Sequence, residues 1–304
     1  MGNNINHREE KKMSKILLTG ATGFLGSRIS YYYKKEKGYE KESFLTPTRK
    51  ELNLYEKEEI KRYVWENRPS IIYHTAAFAD TSYCEEYPKD SYRINVIATK
   101  TLAEAAAEIG SEFIFMSSDA IYNGNGWMGE ILPEERCNRE EIDDNPVNVY
   151  AKHKKEAEQL CFETGGEIKS LRLTWMYDFT KEGMKNNKNM VTNLMEANRK
   201  GKGISFARHE FRGITNVWEV VRNLEKVITL PKGVYNFGSH NLYPTIAVAK
   251  KAGELLGIKE ELILTDEKRW LPTGRNLAIS QEKLHQYGIY FKDIIPGLEH
   301  LFLA

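Results

Sequence analysis

The sequence has 304 residues, with 41% hydrophobic and 29% charged side chains and a formal net charge of +1. This composition is typical of a globular protein, and the near-zero charge argues against nucleic acid or an acidic membrane surface as a partner. Cys84, Cys137 and Cys161 are widely spaced without metal-ligand spacing, so we expect reduced thiols in the cytosol. No apolar run approaches a membrane span, and the polar residues 1–12 are predicted to be a disordered lead. We therefore expect a cytoplasmic protein.

Strand and helix signals then alternate along the chain. Strands are predicted at 16–18, 43–46, 70–74, 112–116 and 168–173, and helices at 24–37, 55–67, 88–109 and 146–164. This alternation predicts an α/β fold with a doubly wound parallel sheet over residues 13–177. Residues 178–304 have a more mixed pattern, and we expect a smaller α/β region with segments that return to the first sheet.

A glycine-rich turn follows the first predicted strand. Gly20, Gly23 and Gly26 are spaced three residues apart, just before and within the helix predicted at 24–37. Gly20 can turn left-handed, Gly23 lets a pyrophosphate approach the backbone, and Gly26 lets the helix pack close to the strand. The N–H groups at the helix N-terminus are suited to phosphates, so this segment predicts a dinucleotide-binding, Rossmann-type fold. The predicted cofactor contacts of the turn are Gly20, Thr22, Gly23, Phe24, Leu25 and Gly26.

Further polar groups are predicted at the carboxyl edge of the sheet, where ligands of such folds bind. Ala76 and Ala77 follow the third predicted strand, and Ser118 follows the fourth. Tyr150 and Lys154 lie four residues apart, on one face of the next helix. An ammonium lowers the pKa of a nearby phenol, so we expect Tyr150 to exchange a proton near neutral pH, with Ser118 bonded to the same substrate oxygen. The same spacing recurs at Tyr31, Tyr33 and Tyr177, without a serine-bearing strand end before it.

These segments together resemble the extended short-chain dehydrogenase/reductases, and within them the dTDP-4-dehydrorhamnose reductase family. The resemblance covers nearly the whole chain. It is carried by TGATGFLG at 19–26, HTAA at 74–77, RINV at 93–96, Ser118-Asp119 with Tyr122, PVNVY at 146–150 with Lys154, RLTWMY at 172–177 and GVYNFG at 233–238. It implies an NAD(P)-binding Rossmann domain over 13–177 and a mainly substrate-binding region over 178–304.

The resemblance also implies a reaction, namely the reduction of a nucleotide-linked 4-keto-6-deoxy sugar in dTDP-rhamnose and cell-surface polysaccharide biosynthesis. Hydride would pass from the nicotinamide to C4, and Tyr150 would give the proton. Lys154 would hold the nicotinamide ribose, and Ser118 would orient the carbonyl oxygen. Asp119 would contact the sugar or cap its loop, and Arg212 would bind the substrate pyrophosphate. Relatives of this fold often dimerise, which leaves a homodimer open.

The end of the second predicted strand bears on the choice of cofactor. An acidic residue there would bind the ribose 2′-hydroxyl of NAD, but the sequence has Thr-Pro-Thr-Arg at 46–49. Arg49 is suited to a 2′-phosphate, or is an ordinary exposed loop charge. Asn53 and Leu54 are expected near the adenine, with Asn53 in place of the family's acid. These residues favour NADP over NAD.

Two alternatives remain open from the sequence. An epimerase or dehydratase would use the same fold, although Ala120 stands where a dehydratase has a glutamate after Asp119. A non-catalytic NADP-binding regulatory subunit would not need the Ser–Tyr–Lys set. An acidic insertion at 124–144, with Trp127, is expected at the substrate mouth. No histidine spacing indicates a metal site, and His153 is expected to be solvated.

Overall fold

A computed structural model of the protein describes residues 14–124, 131–134, 146–179, 184 and 187–303. The predicted lead at 1–12, Cys137, and Trp127 with most of the acidic insertion lie outside these residues. Within the described ranges, no helix is both long enough and apolar enough to cross a membrane.

The elements alternate between strand and helix through most of the chain. The strands are β1 Ile16–Thr19, β2 Phe44–Leu45, β3 Ile71–His74, β4 Glu112–Ser118, β5 Glu167–Leu173, β6 Trp175–Tyr177, β7 Ile204–Ala207, β8 Glu210–Arg212, β9 Ile214–Asn216, β10 Gly233–Phe237, β11 Ile263–Asp266 and β12 Arg275–Leu277. The α-helices are α1 Phe24–Tyr31, α2 Lys57–Asn67, α3 Thr81–Glu86, α4 Pro88–Tyr92, α5 Thr99–Ile109, α6 Val149–Glu163, α7 Met190–Lys200, α8 Val217–Val227, α9 Thr245–Leu255, α10 Glu282–His285 and α11 Ile294–Leu303.

A parallel sheet of six strands, in the order β10-β5-β4-β3-β1-β2, forms the centre of the fold. The predicted α/β class with a doubly wound parallel sheet is therefore confirmed. The register places Thr19 beside His74, and Ser118 beside Leu173, so these strand ends share one edge of the sheet. Strand β10 returns to this sheet from the second part of the chain. The division into domains near residue 177 stays a prediction.

Helices cover both faces of the sheet, which explains the continuous apolar runs of its strands. Leu18 of β1 faces a core shared with α1 and α8, whereas its neighbour Leu17 faces a core shared with α2, α5 and α6. Because neighbouring side chains of a strand point to opposite faces, both leucines are buried. A third core joins α7, α9 and α11 in the second part of the chain.

The sequence pattern missed four short strands. Strands β6, β8, β9 and β12 have three residues each, too few to show a period of two. The predicted helix at 88–109 is present, but its residues Arg93–Ala98 are π-helical. A π-helical turn, Tyr32–Glu36, also continues α1. These local changes of helix type leave no signal in the hydrophobic pattern.

A buried ion pair joins α1 to the second part of the chain. Arg28 is 0% exposed, and its Nε donates to Oδ2 of Asp178, which is 2% exposed, over 3.1 Å. The same oxygen accepts from Nε1 of Trp218 at the start of α8, over 3.2 Å. A second pair joins Lys37, directly after the π-helical turn that continues α1, to Glu225 of α8 at 2.9 Å, but both of its side chains are about 40% exposed.

These two pairs give a matched stability prediction. We expect Asp178→Asn to lower the free energy of unfolding by about 3 kcal/mol or more, because it removes the negative charge that the buried guanidinium contacts. Glu225→Gln should lower it by less than about 1 kcal/mol, because the exposed pair is screened by water. Urea unfolding of both variants measures the difference. Equal losses would show that burial of the Arg28 pair does not determine its contribution.

Candidate active site

The glycine turn brings the ends of β1 and β3 into close contact. Gly20 has a φ of +73°, and a Cβ there would lie 2.7 Å from the backbone nitrogen of Ala76. A Cβ on Gly26 would overlap the carbonyl oxygen of Gly20. Both positions therefore require glycine, the first for its dihedral angle and its contact, the second for packing of α1 on the turn. The half-buried Ala76 and Ala77 line the opposite side of this turn.

The N-terminus of α1 is open to a ligand. Its N-cap is Gly23, no side chain caps it, and its first turn carries no acidic residue. Phe24 and Leu25 are each 6% exposed and belong to the core, so only their backbone can face a ligand. Thr22 is exposed at the tip of the turn. Uncapped N–H groups and the positive end of the helix dipole suit a phosphate.

His74 stabilises this edge of the sheet from inside. Its Nδ1 lies 2.7 Å from Oγ1 of Thr19, and its Nε2 lies 2.9 Å from Oγ1 of Thr99. Thr99 donates its own proton to the carbonyl of Asn95 over 2.9 Å, so Nε2 of His74 must carry the proton. Burial lowers the pKa of His74 to about 3, and the imidazole is neutral. This structural role of His74 was not predicted from the sequence.

Ser118, Tyr150 and Lys154 meet at the carboxyl end of β4. The α6 helix begins after Asn148, whose Oδ1 accepts from the backbone nitrogen of Ala151 over 2.8 Å. This cap places the half-buried Tyr150 in the first turn of the helix, where its phenol is hydrogen-bonded to Ser118. Lys154, one turn later and 4% exposed, donates to the carbonyl of Met116 over 2.7 Å. The structure therefore brings together the three predicted catalytic side chains.

The electrostatics of this cluster differ from the expectation for Tyr150. Burial raises the pKa of Tyr150 and outweighs the hydrogen bond with Ser118, which lowers it; the negative charge of Asp119 adds to the rise. The expected lowering by the ammonium is thus wrong for the protein alone. Lys154 lies 5.9 Å from the centre of the Tyr150 ring. A phenol that stays protonated at neutral pH is suited to donate a proton.

The pKa of Lys154 leads to a prediction about the pH dependence of activity. Burial lowers its pKa to about 8, so the ammonium is charged below that pH and is lost above it. If Lys154 acts as an ammonium, kcat/KM should be level near neutral pH and should decline above about pH 8. Lys154→Arg keeps the charge, so its residual activity should lack this alkaline decline. A parent profile that stays level up to the pH at which the protein unfolds would contradict a charged Lys154 in the reaction.

A cluster of two acids and two arginines adjoins Ser118. Parallel pairing of β8 with β12 places Arg275 opposite Glu210, and the two form an ion pair at 2.6 Å. Arg212, at the end of β8, lies 3.4 Å from Oδ2 of the buried Asp119. Burial raises the pKa of Asp119, and Arg212 opposes this rise. The pKa of Arg275 is lowered by burial and by the positive charge of Arg212, so the two guanidinium groups are close.

The arginine cluster contains hydrogen-bond donors without an acceptor. Within the described ranges, Nε of Arg212, Nε of Arg275 and Nε1 of Trp270 are buried and have no hydrogen-bond partner. Trp270 has a φ of +71°, a strained value for this residue, and Arg275 lies 4.7 Å from the centre of its ring. Arg212 lies 5.0 Å from the ring of Trp175. Buried donors without acceptors are suited to an anionic ligand. Arg212 was predicted from the sequence as a site residue, but Arg275 and Trp270 were not.

The predicted adenosine side of the site is more exposed. Arg49 is exposed after β2, as both a 2′-phosphate contact and an ordinary loop charge require. Lys34, which the sequence analysis did not name, donates to Oγ1 of Thr46 over 3.0 Å and adds a second cation at this strand end. Oδ1 of Asn53 accepts from the backbone of Tyr55 over 3.1 Å, and Leu54 packs against the second core.

Part of the acidic insertion is anchored beside the site. Arg172 of β5 is bound to Glu158 of α6 and donates to the carbonyl of Glu134 over 2.9 Å. Oε1 of Glu134 accepts from the backbone nitrogen of Asn236 over 2.8 Å, on the outer side of β10. Residues 131–134 are therefore fixed against the sheet. The rest of the insertion, between Gly124 and Asp144, lies outside the described residues.

The expectation for His153 is wrong. The side chain is 8% exposed, because α4 and α3 pack against this side of α6, and its Nδ1 lies 2.9 Å from Oγ of Ser91. No group of three or more His, Cys, Asp or Glu side chains in the described ranges is placed to hold a metal ion. The described cysteines, Cys84 and Cys161, are buried free thiols.

A doubly wound parallel sheet, with a glycine turn after its first strand and a Ser–Tyr–Lys cluster at the same edge, is the arrangement of the extended short-chain dehydrogenase/reductases. The chain belongs to the family described as the RmlD substrate binding domain, whose model matches residues 13–273. This match confirms the resemblance found in the sequence.

The individual relatives and solved structures share only a low sequence identity with this chain. The spore coat polysaccharide biosynthesis protein SpsK of Bacillus subtilis is 23% identical over 280 residues, which cover 91% of this chain and 93% of that protein. The beta subunit of methionine adenosyltransferase 2 from Xenopus laevis is 25% identical over 288 residues, 90% of this chain and 83% of that protein. A crystal structure of dTDP-4-dehydrorhamnose reductase from Bacillus anthracis in complex with NADP superposes with a TM-score of 0.80, at 22% identity, over 95% of this chain and 98% of that one. This likeness supports the fold.

Proposed function

We propose that the protein is an NADPH-dependent reductase of a nucleotide-linked 4-keto-6-deoxy sugar. The observation that carries the proposal is the placement of three features at one edge of the sheet. They are the open N-terminus of α1, the Ser118–Tyr150–Lys154 cluster, and the arginine cluster with its unpartnered buried donors. A dinucleotide and a second, separately held anion fit such an arrangement.

The glycine turn fits the pyrophosphate of NADP. Gly20 and Gly26 have no room for a side chain, and the first turn of α1 presents uncapped N–H groups. Ala76 and Ala77 would line the cofactor beside the turn, with Asn53 and Leu54 near the adenine. Arg49 and Lys34 at the end of β2 would bind a 2′-phosphate. The Bacillus anthracis relative holds NADP, which supports this choice, and NAD is the alternative.

The bound nicotinamide would supply the hydride, and the residues of the chain would control the proton and the geometry. The raised pKa keeps Tyr150 protonated, so it can give its proton to the oxygen that develops negative charge. Ser118, bonded to the Tyr150 phenol, would hold the same oxygen. Lys154 would place its ammonium beside the ribose and stabilise the phenolate once the proton has left.

The arginine cluster would bind the diphosphate of the sugar nucleotide. Arg212 and Arg275 are close to each other, and their mutual repulsion would be relieved by an anion between them. Trp270 would contribute its unpartnered indole N–H. Asp119, beside Ser118, would face the sugar once Arg212 turns to the phosphates.

A non-catalytic, NADP-binding regulatory subunit is the second candidate. The similarity to the beta subunit of methionine adenosyltransferase 2 extends over 90% of this chain and favours it. The cluster of Ser118, Tyr150 and Lys154 argues against it, because binding alone does not require a proton donor.

An assay of NADPH oxidation with dTDP-4-keto-6-deoxy-L-mannose separates these candidates. A reductase oxidises NADPH in proportion to the product formed. An epimerase converts its sugar nucleotide without net NADPH consumption, and a regulatory subunit binds NADPH in calorimetry without converting the sugar. Absence of turnover with this substrate and with other dTDP- and UDP-linked keto sugars would refute the reductase.

A further inference from the structure

A chain of buried neutral groups connects the active-site helix to the loop after β3. His153 of α6 faces Ser91 of α4, with 2.9 Å between Nδ1 and Oγ. Asn95 donates to the same Oγ from its Nδ2 over 3.2 Å. Ser91 and Asn95 are fully buried. The amide of Asn95 also accepts from the backbone nitrogen of Phe78 over 2.8 Å and donates to its carbonyl over 2.9 Å.

Burial sets the protonation state of His153. It lowers the pKa of this side chain from 6.5, so the imidazole is neutral at neutral pH, and one hydrogen bond joins its Nδ1 to Oγ of Ser91 over 2.9 Å. His153 lies three residues after Tyr150 and directly before Lys154, so this bond holds α6 between its two predicted catalytic side chains.

We propose that His153 is a positioning residue of the reductase, which through Ser91 fixes α6 so that Tyr150 and Lys154 meet the cofactor loop in register. The inference rests on the proposed function. Phe78 directly follows Ala76 and Ala77, and Asn95 holds both polar groups of its backbone. The bond between His153 and Ser91 thus joins the helix that would deliver the proton to the loop that would line the cofactor.

The same bond makes the positioning sensitive to acid. Protonation places a positive charge on this buried ring, next to Ser91 and Asn95, which carry no charge to balance it, so the packing of α6 against α4 loses stability. The groups that face His153 are Glu156 on α6, Glu85 on α3, and on α4 Ser91 and the Tyr92 ring, whose centre lies 5.3 Å from the centre of the imidazole. Burial lowers the pKa of His153 from 6.5, and the two glutamates oppose this. The contact between His153 and Ser91 is therefore stable at neutral pH and weakens on the acid side.

Three variants test the proposal in the full-length protein. His153→Phe removes the hydrogen-bond partner of Ser91, and we expect kcat to fall about tenfold with little change in the KM of the sugar nucleotide, because geometry and not binding is altered. His153→Asn places a non-titrating amide near the position of Nδ1, and kcat should stay within about twofold of the parent. Lys152→Ala, an exposed neighbour on α6, is the control and should match the parent.

The pH profile of kcat gives a readout that a purely structural residue would not change. The parent should lose activity below pH 6.5, and His153→Asn should lack this acid decline. If His153→Phe fails to fold, the kcat of His153→Asn and the pH profiles of the parent and of His153→Asn still decide the test. The inference is overturned if His153→Phe behaves like Lys152→Ala, if His153→Asn is as slow as His153→Phe, or if the acid decline persists in His153→Asn. An inactive parent would instead refute the proposed function, and this inference with it.

Discussion

Tyr150→Phe is expected to lower the rate of NADPH-dependent reduction by about 10²–10⁴-fold, the usual contribution of a positioned proton donor. The substitution keeps the ring in its place on α6 and removes only the hydroxyl that is bonded to Ser118. NADPH affinity, measured by calorimetry, should change little, because Lys154 and the glycine turn remain. Single-turnover kinetics with saturating NADPH measure the chemical step directly.

Tyr31→Phe is the matched control for this experiment. Tyr31 shares the Tyr-x-x-x-Lys spacing through Lys35, but it is 42% exposed on α1 and its ring packs edge-on against Trp218. Its phenylalanine variant keeps that contact, so we expect activity near that of the parent. If Tyr150→Phe retained full activity, another group would have to supply the proton, and the assignment of Tyr150 would be wrong.

Arg275→Gln is expected to weaken the binding of dTDP by about 10- to 100-fold, which corresponds to the loss of about one charged hydrogen bond. The buried Nε of Arg275 has no partner in the described part of the chain, and binding of a diphosphate would give it one. Calorimetry with dTDP measures this effect without turnover. NADPH affinity should be unchanged, because the glycine turn is a separate anion site.

Arg269→Gln is the control for Arg275→Gln. Arg269 is exposed and lies 5.5 Å from the centre of the same Trp270 ring, so its loss removes a similar charge from the surface but no buried donor. We expect dTDP affinity to change by less than about twofold, as for most surface substitutions. Equal effects of the two variants would indicate a diffuse electrostatic attraction and not a built subsite. Thermal unfolding of Arg275→Gln checks that Glu210, which loses its ion-pair partner, does not destabilise the fold.

The first part of the fold was predictable because its signals are local. Strand β1, the glycine turn and α1 are contiguous, and each has a period or a residue type that its geometry requires. The same holds for Ser118 at the end of β4, and for Tyr150 and Lys154 at helical spacing on α6. The meeting of these side chains followed from a general property of parallel sheets, whose carboxyl ends share one edge.

The arginine cluster was only partly predictable, because its members are far apart in the sequence. Arg275 reaches Glu210 through the pairing of β12 with β8, two strands too short to show a period. Trp270 and Arg275 lie in a polar stretch where exposed charges are the ordinary expectation. His153 was wrongly expected to be solvated for a related reason, since the sequence does not show that α4 covers that side of α6.

By itself, the sequence determined the fold class, the family, and the residues that form the glycine turn and the Ser–Tyr–Lys set. Each of these depends on short-range spacing, which the chain carries directly. The tertiary structure alone decided the environment of the functional side chains: the raised pKa of Tyr150, the lowered pKa of Lys154, the unpartnered donors of Arg212 and Arg275, and the bond between Ser91 and His153. These properties are set by burial and by long-range pairing. Both depend on which distant segments pack around a side chain and exclude water from it, and the local sequence does not encode that packing.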